Sequence, residues 1–183
     1  MLEFNDVLVE GAEKTVSMMA QERQLTCITG GSSKVRTQLL LAMMGLAKIK
    51  SGFVCIDGEP LEASNLKTFR QMMSYAPSQL VADGEINVYE PPTVQDVFSW
   101  KDNREADISN GLLEAEMKRT MAPHDKAQLL AVAVLRKRPI LLVDQPDALS
   151  AGYLRQLVSN GLQVIVSSDD PTIHSASDNI IEI

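Results

Sequence analysis

The stretch Leu25-Thr26-Cys27-Ile28-Thr29, followed at once by Gly30-Gly31-Ser32-Ser33-Lys34-Val35-Arg36-Thr37, decides how this chain is read. The first five residues, apolar or β-branched, predict a buried strand. Small residues end it. An apolar run over residues 38–47 then predicts a helix buried on nearly every side. A strand that feeds a Gly/Ser loop and then a helix sets unpaired N–H groups and a positive dipole end at the loop, which suits an anion. A plain Gly/Ser turn that opens a helix accounts for the same residues.

Working outward, residues 2–9 predict a strand before a turn at Gly11, and residues 53–56 another, stopped by the turn signal Asp57-Gly58. Residues 66–73 read as a helix and 73–76 as extended chain. Helices are expected at 94–100 and 108–119, and one capped by Asp125 over 126–138, stopped by Pro139. The run Ile140-Leu141-Leu142-Val143 predicts a strand that ends in Asp144. A helix over 153–160 closes at Gly161, in the manner of a C′ glycine. A strand at 162–166, a short helix opened by Asp170-Pro171 and a strand at 180–183 complete the chain. Strands alternating with helices predict an α/β fold, with a mostly parallel sheet flanked by helices on both faces.

Charged residues at 22% and hydrophobic ones at 45% of 183 residues supply one domain with a real core, which excludes wholesale disorder. A net charge of -7 argues against a nucleic-acid partner, which needs a basic face. No apolar run reaches the roughly 18–20 residues of a membrane span. The start Met1-Leu2-Glu3-Phe4 lacks the basic-then-apolar pattern of a signal peptide. Cys27 and Cys55 sit in apolar runs without a partner, which predicts reduced core thiols, a cytosolic setting and no zinc site. The pairs Met18-Met19, Met43-Met44 and Met72-Met73 read as core filling.

Two positions carry chemistry together. In phosphate-binding NTPases a strand-terminal aspartate helps hold magnesium, and a loop Ser/Thr hydroxyl is its direct ligand. Asp144 and Thr37 stand at those places. The strict loop pattern G-x-x-x-x-G-K-[ST] is not met: Val35 replaces the second glycine and Arg36 the lysine. A β-branched residue resists the positive φ that a nest of N–H groups often requires.

Taken end to end, the chain resembles the nucleotide-binding subunit of ATP-binding cassette (ABC) transporters. The similar segments, in order, are residues 28–40 for the phosphate loop and 51–58 for a hairpin strand. Residues 73–77 follow before the glutamine loop, and 93–97 in the helical region. Residues 142–146 match the magnesium strand, 147–150 the dimer-facing loop and 164–169 the switch strand. The resemblance implies a P-loop NTPase-like core over residues 1–77 and 124–183, with a small α-helical subdomain over 78–123. It implies nucleotide contacts from Gly30, Gly31, Ser32, Ser33, Lys34, Val35, Arg36, Thr37 and Gln38, and magnesium on Thr37 and Asp144. It also implies a transmembrane permease as partner, docked on residues 75–80 and 94–100, and a homo- or heterodimer with another ABC-type subunit. The expected place is the cytoplasmic face of a membrane.

The departures from the family pattern bear on activity. Gln145 stands where the catalytic glutamate is expected, and an amide cannot take a proton from water as a carboxylate can. Ser168 replaces the switch histidine. Met121-Ala122-Pro123-His124-Asp125 replaces the signature loop, with an amide lost at Pro123 and a negative charge added at Asp125. Ser78 fills the glutamine-loop position, with Gln79 next, and Leu8-Val9-Glu10-Gly11 offers no aromatic to stack on adenine. These changes imply that ATP and Mg2+ bind weakly or not at all, and that the chain is a structural or regulatory subunit. Two alternatives stay open. One is an active ABC ATPase energising transport, through an asymmetric dimer with an intact partner. The other is an interaction protein that keeps only the fold. Two geometric expectations follow: strand 25–29 lies beside strand 140–143 with Gly30 and Asp144 on one sheet edge, and Arg36 turns to Asp144 or another nearby acceptor.

Overall fold

The computed structural model describes residues 1–79 and 108–183. The helix expected at 94–100, the similar segment 93–97 and most of the expected permease groove lie outside the described residues. In chain order the elements are β1 (Leu2–Val9), β2 (Val16–Ala20), β3 (Leu25–Thr29), α1 (Ser33–Met43), β4 (Ile49–Ile56), β5 (Glu59–Pro60), α2 (Leu66–Gln71), β6 (Met73–Ala76), α3 (Asn110–Thr120), α4 (His124–Leu135), β7 (Ile140–Asp144), α5 (Ala151–Ser159), β8 (Gln163–Ser167), α6 (Pro171–Ala176) and β9 (Asn179–Glu182).

The strands form two sheets. Five pair in parallel in the order β6-β7-β8-β3-β9, and four pair antiparallel in the order β2-β1-β4-β5. The inner strands β7, β8 and β3 are buried on both faces, as crossover helices require, and read as apolar runs, whereas the edge strand β9 is partly exposed. The period of two still sorts them. Ile28, Ile140, Leu142 and Ile165 face the core shared with α1 and the antiparallel sheet. Leu25, Cys27, Leu141, Val143, Val164 and Val166 face α4, α5 and α6. The expected α/β architecture, a mostly parallel sheet flanked by helices, is the one observed.

Several details differ. β8 lies between β3 and β7, so the two site-bearing strands are next-nearest neighbours and not adjacent. β2 was not anticipated; its alternation buries Val16, Met18 and Ala20 and leaves Met19 46% exposed, so Met19 is not core filling. α1 begins at Ser33 rather than residue 38 and ends at Met43 rather than 47. Asp125 does not cap α4. It lies in the first turn, and Pro123 holds the cap position, where a residue without an N–H loses nothing. Gly161, at φ 102, does end α5 as a C′ glycine, and the Asp170 side chain accepts from Thr172 N–H to cap α6.

α3 is fixed to the core by a polar cluster. The buried Glu116 accepts from the Tyr153 hydroxyl; its Oε1 and Oε2 lie 3.2 and 3.0 Å from Arg119 Nη1, and the Arg119 guanidinium stacks 5.6 Å from the Tyr153 ring centroid. Burial, followed by the Glu116 contact, pushes the Tyr153 phenol up, so it stays a donor.

Candidate functional site

All strands of the five-stranded sheet run the same way, so Gly30 and Asp144 emerge at one carboxyl edge, where α/β ligand sites form. Ser167 is in register with both Ile28 and Asp144 and bridges the gap left by the intervening strand. The edge divides into a carboxylate side at the end of β7 and a loop side at the end of β3.

On the carboxylate side, Asp144 is 2% exposed. Three hydroxyls donate to it: Thr37 at 2.8 Å, Ser167 at 2.5 Å and Tyr75 at 3.4 Å. Thr37 also lies 3.0 Å from the Ser33 carbonyl. It has one proton, and the charged acceptor is the nearer. Burial, and then the Asp144 charge, push the Tyr75 phenol up, so it remains protonated. The backbone N–H of Gln145 donates to Ser167 O and Oγ at 3.0 and 3.1 Å, and Gln145 O accepts from Lys126 Nζ at 2.6 Å. Gln145 itself sits at φ 48. The two magnesium candidates from the sequence, Thr37 and Asp144, are thus brought together, with Gln145 beside them.

The loop side is built differently. Gly30 and Gly31 adopt φ 78 and 56, and a Cβ on Gly30 would meet Ile183 O at 2.9 Å. Ser32 then turns extended, at φ -89 and ψ 151, and its side chain accepts from Val35 N–H at 3.3 Å. The Arg36 N–H donates to Ser32 O at 3.1 Å. Ser33, Lys34, Val35 and Arg36 are therefore the first helical turn, with Ser32 as N-cap. A nest that cradles a triphosphate needs those amides to point outward together; here two are already bonded within the turn. Of the two accounts of this loop, the turn that opens a helix describes its backbone. The Thr37 and Asp144 oxygens, 2.8 Å apart, are the pair a magnesium ion would draw on, while the Val35 and Arg36 amides of the loop are engaged within its own turn.

Arg36 is the pivot of the loop side. Its side chain is 4% exposed, and Nη2 lies 2.6 Å from Asp169 Oδ2. Nη1 donates to Gly30 O at 2.6 Å and to Gly31 O at 3.4 Å. Arg36 therefore turns to Asp169 and not to Asp144. Asp169 Oδ1 also accepts from Gly30 N–H at 3.1 Å and from Thr29 Oγ1 at 3.0 Å. Partial burial raises the Asp169 carboxyl, but the Gly30 amide, Thr29 and Arg36 outweigh it and hold it below its ordinary value. Asp169 was legible in the sequence only as the last residue of the switch segment. A buried cation opposite an acid two residues past a strand end is the signal that finds it.

Ser168 is 4% exposed, and its hydroxyl accepts from Asp170 N–H at 3.0 Å. His174 Nε2 lies 3.0 Å from Ser168 O. Beneath the loop, burial pushes the Cys27 thiol up to about 11, which leaves it an unreactive core residue. Between the β1–β2 turn and the loop lies a cavity of about 760 Å³, lined by residues 11–17, Gly31, Ser32, Val35 and residues 181–183, none of them aromatic. On the far side Ala122, Asp147 and Ser150 line one shallow cleft, and the flanking Met121 and Leu149 are 69% and 66% exposed.

A sequence profile described as "ABC transporter" matches residues 14–148. The arabinose import ATP-binding protein AraG of Pectobacterium atrosepticum is 22% identical over 98% of this chain and 41% of its own length. An ABC-type transporter of Gibberella zeae is 28% identical over 80% of this chain and 11% of its own length. The chain thus spans less than half of either relative. Among solved structures, an ATP-binding subunit of an ABC transporter superposes with a TM-score of 0.68 at 19% identity, covering 100% of this chain and 85% of that one. A dimeric bacterial ABC transporter cassette superposes with a TM-score of 0.67 at 18% identity, covering 100% and 94%. At such identities the structural likeness is one of fold.

Proposed function

The chain belongs to the ABC transporter family, and on that premise we propose that it is a degenerate ATP-binding subunit of a membrane transport complex, structural or regulatory, with little or no ATP hydrolysis of its own. The observation that carries this reading is the loop side of the site. The Val35 and Arg36 amides are bonded inside the first turn of α1, and the Arg36 guanidinium is held by Asp169. Gln145 adds to it, since the residue after Asp144 carries an amide, which does not accept a proton from water as a carboxylate does. Ser168 adds again, its hydroxyl engaged with its own turn. Each is a separate function lost, and an oriented base or charge stabiliser is typically worth orders of magnitude in rate.

The same reading gives the rest of the assignment. On this reading α3 belongs to the helical subdomain assigned to residues 78–123, of which residues 80–107 lie outside the described residues. A transmembrane permease and a second ABC-type subunit are the partners. The exposed Leu149 and Met121 support a dimer face on the side of residues 147–150. Among the described residues no helix is long and apolar enough to cross a membrane, which agrees with attachment through a permease on the cytoplasmic face.

One observation favours a second reading. Thr37 and Asp144 keep their mutual geometry at 2.8 Å, as an active ABC ATPase in an asymmetric dimer with an intact partner requires. The test is turnover. Purified protein with Mg-ATP is expected to show no hydrolysis above background, with Gln145→Glu alone giving no gain. Robust turnover by the unmodified chain would refute the proposal. Turnover that appears only in the complex with a second subunit, and that falls on Thr37→Ala, would select the second reading.

A further inference from the structure

A guanidinium stays charged at any accessible pH, and burying it demands a counter-charge. Arg36 meets three oxygen acceptors, the carbonyls of Gly30 and Gly31 and Asp169 Oδ2, and only the last is charged. Its Nε is buried with no hydrogen-bond partner. Asp169 gathers in turn the Gly30 amide, the Thr29 hydroxyl and Arg36 Nη2. Those are the donors a phosphate oxygen would draw on at the mouth of this loop. Asp144 is not a competitor for Arg36, since Thr37, Ser167 and Tyr75 already hold it.

The presentation of Asp169 is also fixed. Ser168 and Asp170 on either side are engaged in a local turn and a helix cap. A hydroxyl at position 168 is short enough to make that turn from a buried position. Asp169 itself is 59% exposed, so it is held by its donors and not walled in. From this geometry we propose that Asp169 is a built-in anion that stands on Arg36 and Gly30 in place of a nucleotide phosphate and keeps the loop closed. The proposal deepens the degenerate-subunit reading and rests on it.

The test is anion-dependent melting of the full chain in sodium chloride against inorganic phosphate at matched ionic strength. Asp169→Asn keeps an acceptor oxygen for Gly30 and Thr29 but removes the charge facing Arg36. This variant is expected to melt about 2 °C below the parent in chloride and to rise about 5 °C at saturating phosphate. The parent, and the double variant Arg36→Gln/Asp169→Asn with neither charge, are expected to show only the small general stabilisation that phosphate gives any folded protein. A parent that responds to phosphate as strongly as Asp169→Asn overturns the latch, as does an Asp169→Asn protein with no response. If Asp169→Asn does not fold in chloride, its refolding yield decides: recovery in phosphate supports the latch, and equal failure in both salts overturns it. ATP turnover by the parent would sink the degenerate-subunit reading, while the melting comparison judges the latch separately.

Discussion

The two halves of the sheet edge have kept different things. The carboxylate side holds Asp144 within 2.8 Å of Thr37, with Ser167 and Tyr75 completing a ring of hydroxyls. The loop side, two strands along the sheet, is a capped helix start with the Val35 and Arg36 amides bonded inside the first turn. The carboxylate side depends on strand register, which the buried core enforces: β6, β7 and β8 are locked by apolar residues on both faces. The loop side depends on the backbone of a few residues, Gly30 to Arg36. Topology sets what the core positions, whereas the shape of a loop turns on its local φ and ψ angles.

The sharpest way to break this comparison is to attack the carboxylate side. Asp144→Ala would leave the Ser167, Thr37 and Tyr75 hydroxyls without their acceptor in a buried setting. A loss of about 3 kcal/mol is expected in urea titration, the upper end for stranding buried donors. Asp144→Asn keeps an acceptor and should lose clearly less. Should Asp144→Ala cost nothing, the hydroxyl ring is not a structural unit and the contrast between the halves fails. A smaller effect sharpens the loop side. Ser32→Ala removes the cap of α1 and is expected to cost about 1 kcal/mol. No change there would mean that the helix begins later, with the amides of residues 33–36 available to an anion.

The sequence made the first of these halves legible and the second only in part. Asp144 at the end of an apolar strand and Thr37 after a Gly/Ser loop are strong signals, because strand-end chemistry follows the pattern that the core imposes. Strand order was misread, since nothing in the residues of β3 or β7 says that β8 intervenes. β2 was missed because Met18-Met19 looked like filler, although Val16, Met18 and Ala20 alternate with Ser17 and Met19. The start of α1 was placed five residues late, at 38 and not 33, because the loop was read through the anion-binding pattern. Ser32 is itself a good N-cap residue, and its side chain accepts from the Val35 N–H. Arg36 is expected to turn to Asp144 or another nearby acceptor, and the acceptor it meets is Asp169. The choice turned on Asp169, 133 residues further along, whose position follows from the β3–β8 pairing and not from any local motif.

The smallest effect tests that choice directly. Asp169 sits below its ordinary value of 3.8, with burial opposing and the Gly30 amide, Thr29 and Arg36 outweighing it. A carboxyl depressed by folding stabilises the native state above its unfolded value and loses that contribution as the pH falls through its folded one. The window therefore lies below about pH 4. The contribution is modest, about 0.5 kcal/mol, because water screens an ion pair whose acid is more than half exposed. Many other carboxyls titrate in the same range, so the informative quantity is the difference between the parent and Asp169→Asn. Urea titrations at pH 6 and pH 3 should show the parent more stable than the variant at the higher pH and the gap narrowing at the lower. Arg36→Gln should narrow the gap at pH 6, leaving the part that the Gly30 amide and the Thr29 hydroxyl supply. A gap that stayed constant down to pH 3 and was untouched by Arg36→Gln would mean that Asp169 acts through its fit to Gly30 and Thr29 alone, with no charge in play.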